Sequence, residues 1–159
     1  MADLQRIADR VEIDALRGEF SDAAMMNDYE RLASLFTPDG AVRIPDAKIE
    51  AVGREGLLAL GAQRDVLMDF FVQTTHPGMI RLEGDVASGR AYISELIRLR
   101  DGSSHLNYAI YHDQYVRTED GWKFTDRTYE IRYLDSSPLG GAPIRPFTTG
   151  DTADDDERP

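Results

Sequence analysis

The stretch Asp113-Gln-Tyr-Val-Arg-Thr-Glu-Asp-Gly-Trp-Lys-Phe-Thr-Asp-Arg127 decides the fold. Two strand-like runs flank Glu119-Asp-Gly121, a turn whose glycine can take the positive φ that a tight reversal needs. The residues on both sides of this turn are aromatic or β-branched types that favour a pleated sheet, namely Tyr115, Val116, Trp122 and Phe124. The segment therefore predicts a long antiparallel hairpin.

Helical patterns dominate the first half of the chain and strand patterns the second half. Apolar residues recur at helical spacing over residues 4–27, 28–36 and 53–61, and we expect the third helix to run on to Phe71. A short strand is predicted over 41–44, and four more are predicted over 73–83, 88–99, 105–116 and 122–133. Helices followed by strands predict an α+β domain, with the helices on one face of a curved antiparallel sheet.

The composition indicates a single globular domain. We assign residues 1–147 to this domain and expect the acidic segment 148–159 to be a disordered tail, because it carries five acids against one arginine. The net charge of −11 argues against a nucleic-acid partner, which needs a basic surface. The segment 134–147 is rich in proline and glycine, and it could either close a cavity mouth or lie on the surface as a plain tail.

The location is expected to be cytoplasmic, with no membrane partner. The N-terminus is charged and lacks an apolar signal core, and no run approaches the roughly 18 apolar residues of a membrane helix. The absence of cysteine removes disulfides, thiolate nucleophiles and zinc–thiolate sites.

No phosphate-binding loop, HExxH motif or nucleophile elbow is present, so we expect no cofactor. No metal site is expected either. A three-histidine site would need His76, His105 and His112 together, and strand alternation places the last two on opposite faces.

His76 is the candidate proton acceptor. It precedes Pro77, which favours an extended backbone, and an imidazole that faces a cavity exchanges protons near neutral pH. The alternative is a hydrogen-bonded structural histidine.

The alternation of side chains along the strands predicts a polar group inside an apolar cup. If Ala91 points inward, the cup receives Glu95, Asn107, Tyr111, Arg127 and Tyr129. A buried glutamate and arginine must be paired, or the glutamate must be neutral, so a Glu95–Arg127 pair that only supports the fold is an alternative.

Two helical positions complete the candidate site. Asp22 could point into the cup and orient the histidine, or it could be an exposed surface acid. Met25 is expected in the core or in the wall of the pocket, where it would contact a substrate.

The order of several short pieces resembles the SnoaL-like branch of the NTF2-like superfamily, in particular its scytalone dehydratase and hexachlorocyclohexane dehydrochlorinase groups. The pieces include Asp3-Leu4, Arg31-Leu-Ala-Ser34, Thr75-His76, Gly121-Trp-Lys-Phe124 and Ile131-Arg-Tyr133. The resemblance implies a cone-shaped α+β fold with an internal cavity, and an oligomer, with a trimer favoured over a dimer.

The resemblance also implies a reaction. In these groups a histidine, oriented by a helical aspartate, takes a proton from carbon while a neighbouring group leaves. The histidine corresponds to His76 and an arginine that assists the leaving group to Arg127, whereas Met25 occupies the aspartate position. Without that carboxylate the histidine has no partner to orient it, unless Asp22 or Glu95 takes its place.

We therefore expect a cofactor-independent lyase of the dehydratase type that acts on a small cyclic substrate. His76 would be the base, and Arg127 with Tyr111 would stabilise the charge that develops. One alternative is a non-catalytic protein that binds a small molecule in the same cup. A second alternative is an isomerase, for which Glu95 is the clear choice of carboxylate base. A third alternative is an epoxide hydrolase, but only Arg127 stands at an obvious position for that reaction.

Overall fold

Three α-helices and a seven-stranded sheet make up the part of the chain that the computed structural model describes, residues 2–142 and 144. The predicted acidic tail and most of residues 143–147 lie outside the described residues. The helices are α1 (Ala2–Met25), α2 (Tyr29–Ser34) and α3 (Gly53–Leu67), and a 3-10 turn spans Pro45–Ala47. The strands are β1 (Phe36–Ile44), β2 (Ile49–Val52), β3 (Met68–His76), β4 (Ile80–Glu83), β5 (Val86–Leu99), β6 (Ser104–Thr118) and β7 (Gly121–Asp135).

The sheet is mixed rather than purely antiparallel. Its strand order is β2-β1-β7-β6-β5-β3, with β4 paired to β5. All pairs are antiparallel except β1 with β7, which run parallel. The predicted hairpin is β6 and β7, and Gly121 has the expected positive φ of 95°. The prediction of an α+β fold is confirmed, but it missed the parallel pair and strand β2.

Three predicted boundaries were wrong. The second helix ends at Ser34 rather than at residue 36, because Phe36 begins β1. The third helix ends at Leu67 rather than Phe71, because the following segment pairs with β5 as strand β3. The strand predicted over 73–83 is divided at Pro77-Gly78 into β3 and β4. Gly78 is needed there, since a Cβ at this position would collide with the carbonyl oxygen of Arg90.

An aromatic cluster fills the space between α1 and the inner face of the sheet. Phe20 of α1 packs edge-on against Tyr111 of β6 and Phe124 of β7, with ring centroids 5.6 and 6.0 Å apart. Phe36 of β1 lies 5.1 Å from Phe124.

No helix in the described range is both long and apolar enough to span a membrane.

A buried carboxylate ties the beginning of α1 to the hairpin. Asp9 accepts hydrogen bonds from Arg117 Nη1 and Nη2 at 2.7 and 2.8 Å and from Trp122 Nε1 at 3.2 Å. The hydrogen bonds from Arg117 hold the pKa of Asp9 far below its usual range. The helix is therefore docked onto β6 and β7 by an ion pair and not by apolar contacts alone.

We expect Asp9→Ala to lower the free energy of unfolding by about 3 kcal/mol, because it leaves Nη1 and Nη2 of Arg117 and the Trp122 N–H without their acceptor. Urea denaturation measures this change. Asp85→Ala is the matched control, since Asp85 also contacts Arg117 at 2.9 Å but has a side chain that is 80% exposed. The control should cost less than about 1 kcal/mol, and equal losses in the two variants would contradict the proposed anchor.

Candidate active site

The inner face of the sheet and helices α1 to α3 enclose a cavity of about 310 Å³. Ligand pockets in proteins begin at about this size, which suits a single substituted ring. The lining is mainly apolar, and its polar members are Tyr29, Arg64, Gln73, Glu95, His105, Asn107, Tyr111 and Tyr129.

Three polar residues form one row across the floor of the cavity. Gln73 of β3 is paired with Glu95 of β5, and Glu95 is paired with Asn107 of β6. Residues directly opposite each other on neighbouring strands point to the same face, so all three side chains face inward together. Each of them is buried.

Glu95 is held by uncharged hydrogen-bond donors. Gln73 Nε2 donates to Glu95 Oε2 at 2.7 Å, while Asn107 Nδ2 and the Tyr129 hydroxyl donate to Oε1 at 3.3 and 3.2 Å. None of the described arginines or lysines forms an ion pair with this carboxylate. The carboxyl group is thus oriented on both oxygens without a cation in contact.

Burial raises the pKa of Glu95 above its usual range, because an apolar environment disfavours the charged form. The three hydrogen bonds and the more distant charge of Arg64 act in the opposite direction and offset part of this effect. Burial also raises the pKa of Tyr129, so its hydroxyl stays protonated and remains a donor. A carboxylate with a raised pKa is a stronger base near neutral pH.

A second layer of hydrogen bonds fixes the orientation of Gln73. The Ser21 hydroxyl on α1 donates to Gln73 Oε1 at 2.9 Å, so the Gln73 amide must present its NH₂ group to Glu95. Ser21 also contacts the hydroxyl of Thr75 on β3. Helix α1 therefore contributes to the site through Ser21.

Three cavity side chains keep a buried polar atom without a hydrogen-bond partner in the described part of the chain. These atoms are Arg64 Nε, His105 Nδ1 and Asn107 Oδ1. The amide of Asn107 turns its NH₂ group to Glu95, which leaves Oδ1 as a free acceptor. Buried polar atoms are normally satisfied, so these three are candidate contacts for a bound molecule.

His76 lies on the outer face of the sheet, and the expectation that it faces the cavity is corrected. Its partner on β5 is Tyr92, which is 44% exposed, whereas Thr75 is paired with the buried Ile93. The His76 side chain is exposed, and its Nε2 lies 3.5 Å from the Thr74 hydroxyl. No described carboxylate forms an ion pair with it.

The two helical candidates also lie outside the cavity. Asp22 is an exposed surface acid that pairs with Arg31 of α2, so it does not orient a base. Met25 is half-buried and is not part of the described cavity lining, which includes Ala24 instead. The Met25 sulfur accepts a hydrogen bond from the backbone N–H of Gln73 at 3.1 Å, which β3 leaves free as an edge strand.

Arg127 points inward as expected but serves a different purpose. Its Nε and Nη2 donate to the two carboxylate oxygens of Asp113 at 2.8 and 3.1 Å, and both side chains are fully buried. The guanidinium lies 3.9 to 4.4 Å from the ring centroids of Tyr111, Phe20 and Phe124. It does not line the cavity and does not pair with Glu95, so neither predicted contact of Arg127 is observed.

Glu95, Asn107, Tyr111 and Tyr129 line the cavity together, in agreement with the alternation of the strands. Sequence reasoning missed Gln73, Ser21 and Arg64. The signal for Gln73 was present, because it lies two residues before Thr75 on one strand face. The assumption that His76 points inward placed Gln73 on the opposite face. Among the described residues, no three histidine, aspartate or glutamate side chains converge to hold a metal ion.

Comparisons with known proteins agree with the α+β fold, since a solved NTF2-like protein with a cystatin-like fold from Novosphingobium aromaticivorans matches with a TM-score of 0.72 at 24% identity. The family model described as the SnoaL-like domain matches residues 5–128. Gamma-hexachlorocyclohexane dehydrochlorinase of Sphingobium indicum is 32% identical over 155 residues, which cover 92% of this chain and 94% of the relative.

Two solved structures show the same similarity. The crystal structure of LinA matches with a TM-score of 0.80 and 27% identity, covering 92% of this chain and 99% of LinA. A proposed scytalone dehydratase from Novosphingobium aromaticivorans shares the fold, with a TM-score of 0.74, 22% identity and coverage of 90% and 100%. The chain belongs to the SnoaL-like domain family. These relationships support a lyase-type or isomerase-type role.

The raised pKa of Glu95 makes a prediction about stability. When a group binds its proton more tightly in the folded state than in the unfolded state, the protein becomes less stable as the pH rises through the folded-state pKa of that group. Glu95→Gln should therefore unfold at a higher urea concentration than the wild type at neutral pH, and this gain should vanish below the usual glutamate pKa of 4.5. Asn107 can accommodate the new amide by turning its own, since its Oδ1 has no partner.

Glu130 provides a control of opposite sign. A hydrogen bond to His112 lowers the pKa of this exposed carboxyl, so Glu130→Gln should lose stability at neutral pH, and the loss should shrink as the pH falls. Urea unfolding at several pH values measures both variants. A Glu95→Gln protein that is less stable than the wild type at neutral pH would show that the wild-type carboxylate is not destabilised by burial.

Proposed function

We propose that this protein is a cofactor-independent lyase of the dehydratase type, with Glu95 rather than His76 as the base. The observation that supports this assignment is a buried carboxylate with a raised pKa, oriented by three uncharged donors on the floor of an apolar cavity. Such a group can accept a proton from carbon near neutral pH. The burial of Glu95, which is 8% exposed, favours this step because it limits the competition of solvent for the carboxylate.

The reaction needs one carboxyl group for both proton transfers. Glu95 takes the proton from a carbon next to the departing group, and the electrons of the C–H bond form the new carbon–carbon double bond. The C–O bond to the hydroxyl group breaks, and the proton on Glu95 passes to the leaving oxygen to give water. The carboxylate is regenerated, and no other reactant is consumed.

The free acceptor of Asn107 supports a substrate that carries a hydroxyl group. Asn107 Oδ1 is buried and has no partner, and its NH₂ group is bonded to Glu95. A hydroxyl group that donates to this oxygen would lie beside the carboxyl group that must protonate it. The relative named as a hexachlorocyclohexane dehydrochlorinase removes hydrogen chloride, which is also an elimination, from a six-membered ring compound.

An isomerase is the second candidate, and the composition of the lining favours it. Glu95 is the one carboxyl group among the described cavity-lining residues. A single acid that takes a proton from one carbon can return it to another, which moves a double bond without a leaving group. Product analysis separates the two reactions, because only the dehydratase releases water.

The test is turnover of a panel of small ring compounds that carry hydroxyl or halogen substituents, with products identified by mass spectrometry. We expect Glu95→Gln to lower kcat/KM by about 10²- to 10⁴-fold, the usual contribution of a general base. His76→Gln is the matched control and should keep wild-type activity, since His76 lies on the outer face. Loss of activity in His76→Gln with full activity in Glu95→Gln would overturn this assignment.

The pH dependence gives an independent measurement on the wild type. The carboxylate is the active form of the base, so kcat/KM should rise with pH to a plateau. The midpoint of this rise should lie above the usual glutamate pKa of 4.5, because burial raises the pKa of Glu95. Ligands that bind in the cavity without any turnover, in either variant, would instead identify a binding protein.

A further inference from the structure

The side of α1 that faces solvent carries an apolar stripe that stays exposed in the described part of the chain. Leu4, Ile7 and Val11 recur at helical spacing, and they are 70%, 53% and 63% exposed. The opposite side of the helix faces the core through Ile13 and Phe20, both of which are buried. A surface helix needs one apolar side to pack onto its domain, so the fold does not account for the second one.

Small residues complete this surface. Ala8, Ala15 and Gly18 are exposed on the same side of the helix, and the space around Gly18 is open. The α1 stripe is defined by six residues, namely Leu4, Ile7, Ala8, Val11, Ala15 and Gly18. It extends over about 21 Å of helix, at a rise of about 1.5 Å per residue. Its large side chains Leu4 and Ile7 lie toward one end, and Ala15 and Gly18 lie toward the other.

This order of sizes fits a second copy of the same helix in the antiparallel direction. A two-fold axis near Val11 places Leu4 opposite Gly18 of the other copy, because the two positions are equally distant from Val11 along the chain. Ile7 lies opposite Ala15 of the other copy for the same reason. Large side chains then pack into the space beside small ones, as in other helix pairs. A parallel pair would instead set large side chains against each other and leave a gap at Gly18.

The charges beside the α1 stripe are complementary in the same arrangement. Arg10 and Asp14 flank one side of the stripe on successive turns. Arg10 is exposed and forms no ion pair among the described residues. The side chain of Asp14 is 51% exposed, and Arg17 Nη1 contacts its Oδ1 at 3.0 Å. The antiparallel arrangement brings Arg10 of each copy beside Asp14 of the other, whereas a parallel one sets like charges together.

We propose that α1 is a docking surface for a second copy of the chain, which binds across the α1 stripe in the antiparallel direction. The contact is isologous, since the same residues face each other across a two-fold axis, and it closes at two helices. A membrane surface is a poorer partner, because Asp14 and the net charge of −11 disfavour anionic lipid. The contact is one helix wide, so the association is weak and depends on protein concentration. This inference does not depend on the proposed role of Glu95.

Sedimentation velocity of the full chain at increasing concentration tests this surface. We expect the wild type to reach twice the mass of Val11→Glu, whether the unit that associates is one chain or an assembly formed through another face. The substitution sets two carboxylates against each other at the axis and should raise the dissociation constant by at least about 100-fold. Val66→Glu is the matched control, since Val66 is 71% exposed but lies on α3. This control should associate like the wild type.

An exchange of charges tests the antiparallel direction. Arg10→Glu and Asp14→Arg should each weaken the association by about 10-fold, because each sets like charges together at two places in the contact. An equimolar mixture of the two variants should recover the association of the wild type, since it restores two pairs of opposite charge. Circular dichroism and urea unfolding check that each variant is folded. A mixture that associates no better than either variant alone would overturn the proposed contact.

The remaining outcomes concern the choice of surface and of partner. Equal masses for the wild type and Val11→Glu at every concentration would overturn the proposal, because any association would then use another surface. A loss of association in Val66→Glu as large as that in Val11→Glu would also overturn it, since any added charge would have the same effect. A wild type that does not double its mass but sediments with phosphatidylcholine vesicles, and does so only with Val11 intact, would identify a membrane-binding helix instead.

Discussion

The bidentate pair between Arg127 and Asp113 is the interaction on which the arrangement of the molecule depends. It lies between β6 and β7, and three aromatic rings surround the guanidinium. Arg17 of α1 joins it through the Tyr115 hydroxyl, which accepts from Arg17 Nε at 2.8 Å and donates to Asp113 at 2.7 Å. Removing one member of such a buried network leaves an uncompensated charge, so its members must be kept together. The network fixes α1 against the hairpin at one end and leaves the cavity at the other.

The inner face of the hairpin is divided accordingly. Asp113 on β6 and Arg127 on β7 belong to the packed end, whereas Asn107 and Tyr129 belong to the cavity, with Tyr111 at the boundary. The inner face of the whole sheet carries Asp113 on β6 and Glu95 on the neighbouring strand β5, and these two buried carboxylates have opposite surroundings. Asp113 is neutralised by an arginine, and Glu95 has only uncharged donors in contact, so burial raises its pKa. This difference in surroundings makes Asp113 a structural acid and leaves Glu95 as the carboxyl group that can exchange a proton.

Much of this could be predicted from sequence, because alternation along β5, β6 and β7 is set by apolar residues on one face. That pattern identified Glu95, Asn107, Tyr111 and Tyr129 as neighbours. The same reasoning failed on β3. Gln73 and His76 lie on opposite faces of this strand, so the assumption that His76 points inward assigned every side chain of β3 to the wrong face. Only the pairing of Gln73 with Glu95 resolves this choice, and pairing is not encoded locally. The contribution of Arg64 depends on how α3 packs over the cavity, which no spacing in the sequence reveals.

The outward position of His76 and the methionine at position 25 are consistent with each other. An imidazole in an apolar cup needs a carboxylate to orient it and to stabilise its cationic form. Here the helix offers a thioether, which accepts the backbone N–H of Gln73 and so positions the strand rather than a base. Gln73 in turn orients Glu95, and Ser21 fixes the amide of Gln73 from the same helix. On the proposed function, a neutral hydrogen-bond chain from α1 to Glu95 replaces the aspartate–histidine pair that the family resemblance implies. A carboxylate base is suited to this arrangement because burial raises its pKa without a charged partner.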